Sequence, residues 1–134
     1  MPAKMTRDKK FSGERFSDPS ILLASDSERH GSTMYRALEQ NGFAVEFVGS
    51  YAQVESQLGE RPFDVVLLEV TGEHAVEPAV AAALRVKRGN AGQFVGYLAD
   101  ASLGASGLAG DAVFPRNVSK LPAVLRQFID DGGA

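Results

Sequence analysis

Short, continuous apolar runs that alternate with helix-like segments constrain the fold of this chain most. Residues 21–24 read ILLA and residues 65–68 read VVLL, and each run is followed by polar residues. Such runs are typical of strands that are buried on both faces of a parallel sheet. On this basis we predict five strands, at residues 21–24, 43–49, 64–70, 93–99 and 111–114.

Helix signals fall between these strands. Met34 and Leu38 are spaced for one helix face, and Asn41-Gly42 ends that pattern. Pro78 suits the first turn of an Ala- and Val-rich helix that ends near Arg88. Helices are therefore predicted over residues 28–41, from Ser50 through Leu58, around Pro78 to Arg88, and over residues 118–129. The alternation predicts an α/β fold, a doubly wound five-stranded parallel sheet covered on both faces.

The chain is long enough for one domain with a sizeable core, since it has 134 residues of which 44% are hydrophobic. Residues 1–19 show no hydrophobic period and are interpreted as a flexible tail or linker. The domain is predicted to span residues 20–130, followed by a short tail at 131–134.

Composition argues against several functional classes. The net charge of −3 argues against DNA binding by the domain alone. Without cysteine the chain has no disulfide framework and no thiolate metal site, which suits the cytoplasm. No apolar run has the length of a signal peptide or a membrane span, so we expect a cytoplasmic protein without a membrane partner.

The polar and apolar residues at the strand ends are predicted to form one site. Doubly wound sheets bind ligands beyond the carboxyl ends of their strands. The residues at those ends are Ser25, Asp26, Glu69, Leu98, Ala99, Phe114 and Pro115.

These strand ends resemble the motifs of response-regulator receiver domains across residues 20–130. The family's first strand ends in an acidic pair, where this chain has ILLASDS, and its third ends in the phosphorylated aspartate, where this chain has FDVVLLE. Leu98-Ala99 aligns with the family's Thr/Ser-Ala, and Phe114-Pro115 with its Lys-Pro. The resemblance implies a flavodoxin/CheY-like fold and a place in bacterial two-component or phosphorelay signalling.

Most of the family's reactive groups are replaced. Ser25 stands for one acid, so Asp26 and Glu69 remain as weak candidates for Mg²⁺, and Glu69 is one methylene longer than the acceptor aspartate. Leu98 cannot donate a hydrogen bond to a phosphoryl group, and Phe114 replaces the lysine. The resemblance thus implies a pseudo-receiver with no catalytic residue, no cofactor and weak or absent Mg²⁺ binding.

Two alternatives stay open at this site. Arg116 could align with the lysine, which keeps a cation but shifts the register of the last helix. Glu69 could act as a permanent mimic of a phosphorylated aspartate, or it could be a drifted acid that is solvated or hydrogen-bonded at a strand end. We favour the drifted acid because no group in the alignment is expected to interact with its charge. We interpret Asp26 as the cap of the first helix.

The segment that the family folds as its fourth helix is short here. It contains Gly104, Gly107 and Gly110, and each glycine costs about 1 kcal/mol in a helix relative to alanine. We therefore predict a short or missing fourth helix and a remodelled interaction face, with Asp111 at the family's aromatic switch position. The predicted face, which is also a possible dimer surface, consists of Leu103, Leu108, Asp111 and Val113.

The leading functional hypothesis is a phosphorylation-independent interaction module that docks on a histidine kinase, a phosphotransfer protein or another regulator. One alternative is a weakly phosphorylatable receiver that uses Glu69 and Asp26. Another is a receiver relative that senses cyclic dinucleotides, with phosphate contacts from Arg85, Lys87, Arg88 and Arg116.

Overall fold

The computed structural model describes residues 18–100 and 112–132, and these form one sheet flanked by helices. The strands are β1 (Ser20–Ser25), β2 (Ala44–Val48), β3 (Val65–Glu69), β4 (Val95–Ala99) and β5 (Ala112–Pro115). The described α-helices are α1 (Glu28–Gln40), α2 (Val54–Glu60), α3 (Val76–Gly89) and α4 (Leu121–Asp130). Single 3₁₀ turns at Tyr51–Gln53 and Glu73–Ala75 lead into α2 and α3.

The five strands are all parallel, in the order β2-β1-β3-β4-β5. Strand order reverses at β1, so the chain winds first to one side of the sheet and then to the other. This confirms the predicted doubly wound α/β fold.

Both faces of the sheet are buried, which explains the continuous apolar runs in the sequence. In β1, Leu22 and Ala24 belong to a core shared with α2 and α3, whereas Ile21 and Leu23 face the core shared with α1 and α4. Successive side chains of a strand point to opposite faces, so a run without alternation supplies both cores at once.

A glycine and a serine set how α1 joins the sheet. The Ser27 hydroxyl caps the helix by accepting the His30 backbone N–H at 3.3 Å. A Cβ at Gly31 would lie 2.4 Å from two ring carbons of Phe47, so glycine lets α1 approach β2 closely. Gly42, at φ 90°, then ends the helix in the conformation that glycine adopts most readily.

The predicted start of the last helix is three residues early, since α4 begins at Leu121 rather than at Val118. Asn117 Oδ1 accepts the backbone N–H groups of Ser119 and Lys120, at 2.9 and 3.1 Å, and holds a turn before the helix. This turn lengthens the connection between β5 and α4.

Several predictions fall on residues that the structure does not describe. The short or missing fourth helix, with Leu103, Leu108 and Asp111, lies outside the described residues, as do most of the N-terminal segment and the last two residues. The domain limits and the fourth helix therefore stay predictions. Val113 is described, and 47% of its surface is exposed on the edge strand β5. Across residues 18–100 and 112–132, the helices are too short or too polar to cross a bilayer.

Candidate functional site

The sheet register places the predicted strand-end residues side by side. Ser25 of β1 is opposite Glu69 of β3, and Glu69 is opposite Leu98 of β4. Leu98 is in turn opposite Phe114 of β5, and Ala99 is opposite Pro115. The parallel sheet thus gathers these residues at one edge, with Glu69 between two apolar or neutral neighbours.

Glu69 is fully buried and is held by an ion pair. Its Oε2 atom lies 2.8 Å from Arg116 Nε, and the exposed fractions of the two side chains are 0% and 13%. Arg116 Nη1 also reaches Asp100 Oδ2 at 3.3 Å, and 55% of the Asp100 side chain is exposed. The expectation that no group interacts with the charge of Glu69 is therefore wrong, because Arg116 forms an ion pair with it.

Phe114 does not take the place of a counter-charge at Glu69. Its ring packs in the core against Phe94 and Phe128, with centroids 6.3 and 5.2 Å away. Arg116 provides the counter-charge instead. Aligning Arg116 with the family's lysine shifts the register of the last helix, and the turn at residues 117–120 accommodates that shift. Position 116 supplies the cation, and position 114 supplies only packing.

A buried ion pair of this kind is a constraint on structure more than a source of stability. Removing two charges from water costs several kcal/mol for each ion, and the loss of one partner typically destabilises a protein by about 3–5 kcal/mol. Glu69 Oε1 is buried and has no hydrogen-bond partner among the described residues. Only half of the carboxylate is thus satisfied by the protein groups that the structure describes.

Tyr51 anchors the end of β3, and the sequence analysis missed it. Its hydroxyl donates to the Glu69 backbone carbonyl at 2.5 Å, inside the core. Burial raises the pKa of Tyr51 above its ordinary value of 10, and the charges of Asp26 and Glu69 raise it further, while Arg116 acts in the opposite sense. The hydroxyl consequently stays protonated and remains a donor at any physiological pH. The only sequence signal for this contact was an aromatic residue with a hydroxyl group directly after Ser50.

Ser25 and Asp26 are engaged with other protein groups. The Ser25 hydroxyl donates to the Ser27 carbonyl at 3.2 Å and accepts the Ser27 N–H at 3.1 Å. Asp26 Oδ1 accepts from the Thr71 hydroxyl at 2.8 Å, and Asp26 Oδ2 lies 3.1 Å from His74 Nε2. The interpretation of Asp26 as the helix cap is wrong: Ser27 caps α1, because the Asp26 carboxylate reaches across to the residues that follow β3.

These residues do not fit the octahedral oxygen site that Mg²⁺ requires. Ser25 offers a neutral hydroxyl bound to backbone, and the free oxygen of Glu69 adjoins an arginine. Within residues 18–100 and 112–132, no group of three or more His, Asp or Glu side chains is placed to hold a metal ion. Weak or absent Mg²⁺ binding stays a prediction.

The four cations suggested for a cyclic dinucleotide do not form a single site. Arg85 pairs with Glu55 at 2.9 Å, and Lys87 donates to the Gln93 carbonyl at 2.9 Å, both near the carboxyl end of α3. That helix runs back along the parallel sheet, so its end lies near the opposite edge from Arg116 and Glu69. Arg116 therefore does not share a site with the α3 cations, and the sensing of a cyclic dinucleotide stays a prediction.

Two surface cavities are relevant to binding. One, of about 530 Å³, lies between α1 and the turn before α4 and is bordered by Glu69 and Arg116. The other, of about 590 Å³, lies between the ends of α2 and α3 and includes Arg61 and Arg85. Both volumes are in the range of small-ligand pockets.

Sequence comparisons gave no relative, whereas structural comparisons gave many. No family model matches the chain, and no curated protein sequence matches it. A response regulator from Thermotoga maritima is similar with a TM-score of 0.68 and 17% identity, covering 84% of this chain and 98% of that one. Chemotaxis response regulator CheY4 of Vibrio cholerae gives a TM-score of 0.67 and 15% identity, covering 83% and 98%.

A third similar structure was solved with a bound ligand. Response regulator TrrA of Thermotoga maritima, in complex with Mg²⁺-BeF, has a TM-score of 0.67 and 12% identity, covering 84% of this chain and 97% of that one. Structural similarity at such low sequence identity is evidence for a shared architecture, and it is not evidence for a shared chemistry. The sheet order and these likenesses together show that the chain has the CheY-like fold of response-regulator receiver domains.

Proposed function

We propose that this chain is a phosphorylation-independent pseudo-receiver, which acts as a protein-interaction module in two-component or phosphorelay signalling. The receiver fold supports the signalling context. The observation that carries the proposal is the buried ion pair between Glu69 and Arg116, at 2.8 Å, where the resemblance places the phosphoacceptor.

Phosphoryl transfer to a carboxylate depends on positioning and on cations that neutralise the moving charge. One Glu69 oxygen is bound to Arg116, and the extra methylene displaces the carboxylate by about 1 Å from an aspartate's position. Leu98, opposite Glu69, has no hydroxyl to bind an arriving phosphoryl group. These features argue against Glu69 as an efficient acceptor and against an enzymatic role.

A domain with this site works through its surface. The proposed partners are a histidine kinase, a phosphotransfer protein or another regulator, and a second copy of the chain is a further possibility. Of the proposed face, Val113 contributes an exposed apolar side chain on an edge strand. Partner choice is therefore expected to be independent of phosphodonors.

The test is incubation with acetyl phosphate and Mg²⁺, followed by intact-mass measurement under conditions that preserve acyl phosphates. We expect no mass gain for the wild type. A receiver domain of known activity serves as the control for the donor. A stable acyl phosphate that disappears in Glu69→Gln would contradict the proposal.

One observation favours the alternative of a weakly phosphorylatable receiver. Glu69 Oε1 has no partner among the described residues and is the oxygen that could attack phosphorus. The same mass measurement separates the two functions, because only the alternative predicts a phosphorylated fraction that requires Glu69.

A further inference from the structure

An unsatisfied buried acceptor lies next to the cavity between α1 and the turn before α4. Glu69 borders this cavity of about 530 Å³, and its side chain has an exposed fraction of 0%. Its Oε1 atom has no hydrogen-bond partner within residues 18–100 and 112–132. A buried acceptor without a donor is costly, so a ligand donor that reached this atom from the adjoining cavity would relieve that cost.

The charges around this atom favour a cationic donor. Glu69 and Asp100 share the single guanidinium of Arg116, so the cluster of three side chains carries one net negative charge. An ammonium group beside Oε1 would balance that charge. A second anion at the same place would be repelled.

The mouth of the cavity has the opposite character. Arg29, on the first turn of α1, borders the same cavity, and its guanidinium has no carboxylate partner in the described part of the chain. Arginine binds carboxylates through two parallel hydrogen bonds. Met34 and Val118 add apolar surface between the acidic interior and this basic rim.

We propose that this cavity binds a small zwitterion with the chemistry of a free amino acid. Its ammonium group donates to Glu69 Oε1, its carboxylate faces Arg29, and its carbon chain packs between Met34 and Val118. Such a site goes beyond the proposed interaction role and stands independently of it. Loss of one does not remove the other.

The experiment is a ¹H–¹⁵N NMR titration of the full chain with each of the common L-amino acids and with longer ω-amino acids. We expect at least one of them to give saturable shifts clustered at residues 29–34, 69 and 116–119. Its N-acetyl derivative, which lacks the ammonium group, should bind at least tenfold more weakly. Because this comparison alters the ligand, it does not depend on the folding of a variant.

Two exposed arginines on α1 provide a matched pair of variants. Arg29→Ala should weaken binding at least tenfold, whereas Arg36→Ala should leave it unchanged, because Arg36 does not border this cavity. Absence of saturable shifts with every compound would overturn the proposal. So would equal binding of the N-acetyl derivative, or equal effects of the two arginine variants. The mass measurement with acetyl phosphate has a separate readout, so failure here leaves the interaction role standing.

Discussion

Two carboxylates at the same edge of the sheet have opposite surroundings. Glu69 is fully buried and paired with an arginine of which 13% is exposed, whereas Asp26 is 32% exposed and pairs with a histidine that is 70% exposed. The hydrogen bonds have similar lengths, 2.8 and 3.1 Å. Distance alone would predict equal strength for the two pairs. Burial makes them different, because water screens the outer pair, Asp26 and His74, and does not screen the inner pair, Glu69 and Arg116.

The largest effect is expected from removing the buried cation. Arg116→Ala leaves the Glu69 charge buried without its partner, and should lower the free energy of unfolding by about 3–5 kcal/mol. Urea denaturation followed by circular dichroism measures this. Arg85→Ala is the matched control, since Arg85 and Glu55 form a pair whose side chains are 38% and 52% exposed, and its loss should cost less than about 1 kcal/mol. Equal losses in the two variants would remove the distinction between the regions.

The inner pair can also be tested by coupling. If Arg116 stabilises the protein through Glu69, then Arg116→Ala should be less harmful in a Glu69→Gln background, by about 1–3 kcal/mol. A double-mutant cycle in urea gives this number. Additive effects would show that Arg116 acts through another contact, such as the one to Asp100.

A smaller effect is expected at Tyr51, which ties the strand that carries Glu69. Tyr51→Phe removes a buried donor from the Glu69 carbonyl and should cost about 1–3 kcal/mol at neutral pH. Tyr35→Phe is the control, because the Tyr35 hydroxyl meets Glu39 on an exposed helix surface. A loss in Tyr51→Phe no larger than in the control would contradict the anchoring role.

Tyr51 also predicts a pH dependence. Its pKa is higher in the folded than in the unfolded chain, so the folded state holds the proton more tightly. The associated stability is complete below the ordinary pKa of 10 and is lost as pH rises above it. The alkaline decrease in unfolding free energy should be shallower in Tyr51→Phe than in the wild type, and unchanged slopes would contradict the shift.

The smallest effect is expected in the outer region. His74→Ala removes a contact to Asp26 that is exposed to solvent, and should change the unfolding free energy by less than about 1 kcal/mol. A loss of unfolding free energy comparable to that of Arg116→Ala would show that the Asp26 pair is as important for stability as the Glu69 pair.

The fold could be predicted because strands that are buried on both faces have continuous apolar runs, and such runs are visible in the sequence. The site could be predicted only in part. Glu69, Leu98 and Phe114 follow from the register of parallel strands, but the partner of Glu69 depends on a turn at residues 117–120 that leaves no periodic signal. The capping role went to Ser27 for a similar reason, since Asp26 has partners nearly fifty residues away along the chain.

The most direct test of the central claim, that the Glu69–Arg116 pair replaces phosphoacceptor chemistry, is a titration with Mg²⁺ and beryllofluoride monitored by amide chemical shifts. Response regulator TrrA of Thermotoga maritima, which is similar in fold, was solved in complex with Mg²⁺-BeF. We expect no saturable shifts at residues 25, 69, 98 and 116. Saturable shifts at these residues that require both reagents and vanish in Glu69→Gln would contradict it.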